Sequence, residues 1–205
     1  MKNHAWALVL AIIVVGTTIG LSSCIFQGGD VVLNETVCVT LEETQTTGQF
    51  SSFVVVDDFK EALERKLEQN GKGKRDVKSI HMASATFKTT SVTPHDWNVT
   101  GDINIARQDD PAGGYEDGPA PLVRFDNQSL KGLKGQPTDA DLLADGVAVV
   151  DRALASLLVD EDPRLVLLVE NESVSPTPST ADPMSFKVKV CVTFQMVVDL
   201  GKKKP

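Results

Sequence analysis

The chain has 205 residues and a formal net charge of −8, from 28 acidic and 20 basic side chains. That length suits one domain with its own core and is short for two. The acidity excludes nucleic acid as the main partner, because phosphate binding needs clustered Lys and Arg; with 5% aromatics and three cysteines the chain is also no collagen, disulfide knot or disordered polymer.

The N-terminus reads as an address. Lys2 supplies a basic start, Ala5 to Leu21 carry no charge, and Leu21-Ser22-Ser23-Cys24 follows. A basic start, an apolar run and small residues before a cut describe a secretory signal. The run has 17 residues and is weakened by Gly16-Thr17-Thr18, whereas a spanning helix needs about 20 apolar residues. An ordinary secretory signal and an N-terminal anchor helix are the alternatives. Leu21-Ser22-Ser23-Cys24 closely resembles the lipobox of bacterial lipoproteins. That resemblance implies cleavage before Cys24, lipidation of its thiol with a diacylglyceryl group, and attachment to the cell envelope. Ile25 stands where an Asp in the family implies inner-membrane retention, so the outer membrane or cell surface is expected. The division is then signal peptide 1–23, lipidated tether 24–29, a single domain 30–200 and a basic tail 201–205.

In the mature chain, Asp30 to Glu42 alternates, with Val31, Leu33, Val37, Val39 and Leu41 on one side, the pattern of a half-buried strand. Phe50 to Val56 reads as a second strand. Asp57 or Asp58 caps a helix to about Asn70, with Phe59, Leu63 and Leu67 as its apolar stripe and Gly71 as its stop. Val77 to Thr90 and Asp96 to Arg107 read as strands three and four. Gln108 to Pro137, rich in Gly and Pro, reads as a long connection. Thr138 is expected to cap a second helix, about 139–159, with Leu143, Val147, Val150, Leu154 and Leu157 in its stripe. Arg164 to Glu170 looks like a covered strand, 173–183 is a Ser/Thr/Pro loop, and Phe186 to Leu200 is the last strand. The fold class is α+β: an antiparallel sheet or sandwich of about six strands with two helices, in the order β-β-α-β-β-α-β-β.

Cys38 and Cys191 each sit in Val-Cys-Val-Thr on the polar side of a strand. If the first and last strands are neighbours, the two can form a disulfide in an oxidising compartment; otherwise they are small half-buried thiols. The search for chemistry is mostly negative. His-Glu-x-x-His, Gly-x-Ser-x-Gly and the P-loop spacing do not occur. Ser91, His95 and Asp96 share one short loop, where ordinary turn chemistry explains them. His81 and His95 have no metal-ligand spacing. Asp109, Asp110, Glu116 and Asp117 offer oxygens that suit calcium but lack the EF-hand pattern, so neither metal nor cofactor is assigned. Sequons at Asn34, Asn98, Asn127 and Asn171 read as polar, exposed positions. Within the long connection, Tyr115, Leu122, Val123 and Phe125 either dress a binding surface or tuck the loop onto the sheet.

The sequence therefore points to a membrane-anchored envelope lipoprotein with a non-enzymatic binding or structural role. Its expected contacts are the membrane, through the N-terminal lipid, and an envelope protein or glycan, with Tyr115, Leu122 and Phe125 as the candidate binding loop. The alternatives are an envelope enzyme centred on His81, His95 and Asp96, or a eukaryotic secreted glycoprotein.

Overall fold

The computed structural model describes residues 26–27, 29–108 and 114–201. The signal segment, Cys24 and the basic residues Lys202 to Lys204 lie outside the described residues, as do Asp109 and Asp110. Among the described residues no helix is long and apolar enough to cross a membrane.

The elements in chain order are β1 (Phe26–Gln27), β2 (Asp30–Gln45), β3 (Ser51–Val56), α1 (Phe59–Gln69), β4 (Val77–Thr93), β5 (Asn98–Gln108), β6 (Asp117–Ser129), β7 (Thr138–Asp139), α2 (Ala144–Ser156), β8 (Arg164–Ser175) and β9 (Met184–Asp199). They form two sheets, β1-β2-β9-β4-β7 and β3-β8-β5-β6, and all named strands pair antiparallel. The α+β class with mainly antiparallel sheet and two helices therefore holds. The count and order do not: nine described strands replace the six expected, two of them only two residues long.

Two differences account for this. The segment read as a connection, 108–137, contains β6, which pairs with β5 from Asp117 to Ser129. Pro119 and Pro121 disguised it, and an edge position is where a strand tolerates proline. The second helix starts at Ala144 rather than Asp139, because residues 138–143 spend their backbone groups on both sheets. Thr138 and Asp139 pair with Phe87 and Thr86. Ala140 N–H donates to the Ala85 carbonyl, and Leu143 N–H to the Leu122 carbonyl, each at 2.9 Å. The expected stripe rotates accordingly: Val150, Leu154 and Leu157 are buried with Val149 and Ala153, while Leu143 is exposed.

The strongest periodic signals survive intact. In β2 the residues Val31, Leu33, Val37 and Leu41 point inward, although Val39 is only half-buried. In β9 every second residue from Met184 to Val198 is buried. Phe59, Leu63 and Leu67 of α1 are buried, and the chain leaves that helix through Gly71 at φ 64°. The inner face of the first sheet is covered in two parts. Around Leu41, Phe87, Phe186 and Val190 it faces Val54, Ile103 and Leu167 of the second sheet across a small cavity. Towards Phe194 it meets the helices: Phe59 packs at a tilt against Phe194 with centroids 6.0 Å apart, and Asp151 of α2 accepts a hydrogen bond from Met82 N–H at 2.6 Å. Burial of this continuous apolar interior is the main favourable term for a domain of this kind.

Candidate functional site

The outer face of the first sheet is a polar, solvent-facing surface built from the even residues of β2 and the odd residues of β9. Cys38 and Cys191 stand directly opposite each other there, with Cα atoms 4.0 Å apart and sulfurs at disulfide distance. The first and last long strands are neighbours over sixteen register pairs, which is what brings two residues 153 apart in sequence into contact. The pair sits in a ladder of cross-strand polar contacts. Thr36 and Thr193 hydroxyls are 2.9 Å apart, Thr44 and Ser185 hydroxyls 2.7 Å, and Gln195 Nε2 donates to Asn34 Oδ1 at 3.2 Å.

The expected chemical cluster is not assembled. His81 lies in β4 opposite Gln195, while His95 follows the far end of the same strand. The twelve residue steps of extended strand from His81 to Thr93 span about 40 Å at the usual rise. His95 contacts Asp182 instead, Nε2 to Oδ2 at 2.7 Å, and its ring meets Trp97 edge-on with centroids 5.3 Å apart. Both partners are about half exposed, so the contact is a surface pair of small energetic weight. Asp96 is occupied with folding: it accepts hydrogen bonds from Ser129 Oγ at 2.9 Å and from Lys131 N–H at 3.1 Å. Asp182 was illegible as a partner because it lies 87 residues away in sequence.

The candidate binding loop divides. Tyr115 is exposed, but Leu122 is 1% exposed beneath α2 and Phe125 packs inward, edge-on to Phe87 at 5.3 Å. Leu122 is thus a core residue of β6, and Phe125 is half-buried against the core. The reasons differ: α2 lies over Leu122, with Gly146 in close approach, whereas Phe125 turns into the inter-sheet cavity beside Phe87.

Of the acidic loop residues, Asp117 is likewise engaged. Asp117 forms a two-pronged contact with Arg152 of α2, with one prong at 2.8 Å. The hydrogen bond from that guanidinium holds the Asp117 carboxyl below the usual carboxylate range, against a smaller opposing effect of burial. Asp102 is lowered for the same reason by Arg124, whose Nε lies 2.8 Å away. No group of three or more His, Cys, Asp or Glu converges on a metal-sized site among the described residues. Asn127 is exposed as expected of a sequon, and Asn34 and Asn98 are half-buried. Asn171 departs from expectation: it is 8% exposed, its Oδ1 accepts from Phe50 N–H and its Nδ2 donates to the Gly48 carbonyl. It is a structural clasp for the β2–β3 connection.

The inter-sheet cavity is not legible in the sequence, since its lining comes from both sheets and from residues 125–133 of the segment that reads as a connection. It has a volume of about 60 Å³ and apolar walls that include Leu41, Phe87, Phe125 and Val190. Thr89, whose strand neighbour Phe87 and cross-strand partner Val188 both line it, is fully buried, and its hydroxyl has no hydrogen-bond partner. No family model matches this chain, and no curated protein matches its sequence.

Proposed function

We propose that this chain is a lipid-anchored envelope lipoprotein whose α+β domain is a non-enzymatic binding or structural module. The observation that carries the reading is Leu21-Ser22-Ser23-Cys24 behind an uncharged apolar run. The architecture sets where such an anchor joins the domain. Strand β1 begins at Phe26, two residues after Cys24, and pairs with Asp30 and Val31. The lipid on Cys24 therefore joins the folded domain almost directly, and the tether expected over 24–29 contains β1. A diacylated cysteine, with a further acyl chain on its amine, anchors stably, whereas one chain binds only marginally.

In this reading, the disulfide pair belongs to an oxidising compartment, and the Asp30–Asp199 end of the first sheet faces the bilayer. Intact mass of the membrane-extracted protein tests the proposal. Expected is loss of residues 1–23 together with the added mass of a diacylglyceryl group, and both disappear in Cys24→Ala. An unprocessed, unmodified chain in the membrane fraction overturns it.

A further inference from the structure

The second sheet ends at β3, which pairs with β8 and, among the described residues, with no strand on its other side. Asn171 N–H donates to the Phe50 carbonyl. Counting along that antiparallel ladder, Ser52, Val54 and Val56 turn their backbone groups to β8, while Ser51, Phe53 and Val55 turn theirs outward. A row of free N–H and C=O groups is a template for another strand, and proteins blunt such edges with charge, proline or a covering segment.

Among the described residues the other long strands with an open side are blunted. The open side of β2 carries Glu35, Glu42 and Glu43. Strand β6 carries Pro119, Pro121, Arg124 and Asp126 and is crossed by Leu142 and Leu143. Strand β4 is covered by β7 and bridged by Lys134. Strand β3 reads Ser-Ser-Phe-Val-Val-Val, without a charge or a proline. Phe53 is 67% exposed and stands opposite half-buried Leu168 on the outer face of the sheet.

The surroundings of this neutral strand are acidic at both ends. Glu170 lies opposite Ser51, and Asp57 and Asp58 follow Val56; all three are exposed, with Arg164 3.7 Å from Asp57. An antiparallel second copy would bring Glu170 of one molecule towards Asp57 and Asp58 of the other, between chains that each carry −8. Like charges so placed oppose association, and opposite charges favour it.

We propose that β3 is a docking edge for an extended segment of another protein, added as a fifth strand to this sheet. The segment has an uncharged, alternately apolar centre and Lys or Arg at both ends. Backbone hydrogen bonds along the edge supply affinity, and Phe53 with Val55 and Leu168 receives the apolar side chains on one face.

The test uses the full chain and fluorescently labelled peptides of alternating Val and Thr, capped at both ends by Lys or by Glu. Fluorescence polarisation is expected to show binding of the Lys-ended peptide, at least tenfold weaker binding of the Glu-ended one, and a difference that shrinks as salt is raised. Amide exchange at Phe53 and Val55 slows on binding. Phe53→Lys, at an exposed position, keeps the thermal melt and weakens the Lys-ended peptide at least tenfold. Equal binding of the two peptides, or unchanged binding by a folded Phe53→Lys, overturns the proposal. So does concentration-dependent dimerisation without peptide binding, which assigns the edge to a second copy instead.

Discussion

Gly146 shows how a single position can oppose its own helix propensity. Glycine inside a helix ordinarily costs about 1 kcal/mol relative to alanine, so propensity alone predicts that Gly146→Ala stabilises α2. The packing predicts the reverse. A Cβ at this buried position would stand 2.5 Å from Leu122 Cα and 2.7 Å from the Pro121 carbonyl oxygen. These are backbone atoms of β6, so the helix must lift away from the strand. Overpacking of this kind costs about 1–3 kcal/mol, which exceeds the propensity gain at most of that range. Denaturant unfolding of Gly146→Ala is expected to show net destabilisation; a more stable variant would mean that α2 shifts freely on β6. Phe53 is the opposite case at the same scale. Its ring is largely exposed, so its replacement is expected to change function rather than stability.

At the scale of elements, β6 and α2 are joined both by this close approach and by the Asp117–Arg152 contact. Because the Asp117 carboxyl is held below its ordinary value in the folded protein, its contribution is present above the ordinary carboxylate value and is lost as pH falls through the lowered one. The same sign applies to Asp102 beside Arg124. Asp117→Asn is therefore expected to lower Tm at neutral pH and to show a shallower fall of Tm on acidification, converging with the parent chain in strong acid. A parallel offset at every pH would show that the pair contributes nothing through ionisation. Both elements also explain where sequence reading succeeded. The period of two in β2 and β9, and the four-residue spacing in α1, survive because each element buries one face against a single layer. Strand β6 was hidden by Pro119, Pro121 and Gly118, and residues 138–143 were hidden because their backbone partners lie on two different sheets.

At the scale of the molecule, Cys38 and Cys191 link the first and last long strands across a separation of 153 residues. Closing so long a loop restricts the unfolded chain, and the chain-entropy model gives about 5 kcal/mol as an upper figure. Engineered and native examples fall below that bound, so the double variant Cys38→Ala, Cys191→Ala is expected to lose about 2–5 kcal/mol in denaturant unfolding. Reductant should destabilise the parent chain by a similar amount and leave the variant unchanged. A parent chain indifferent to reductant, with the thiols of Cys38 and Cys191 both titratable after denaturation, would falsify the covalent link. The position of the pair at directly opposed residues follows from the β2–β9 register, which also sets Asp30 against Asp199.

By itself the sequence determined the antiparallel α+β class, the faces of the most periodic elements, the polar side of the sheet on which both cysteines sit, and the motif on which the anchor reading rests. These are local properties, written in spacing and side-chain type over a few residues. Tertiary structure alone decided that His95 meets Asp182 rather than His81, that Leu122 is core with Phe125 packed against it, that 138–143 stitches the two sheets together, and that β3 is left as an undefended edge. Each of those outcomes depends on which strands become neighbours, and strand neighbours are chosen by long-range pairing and burial that no local pattern records.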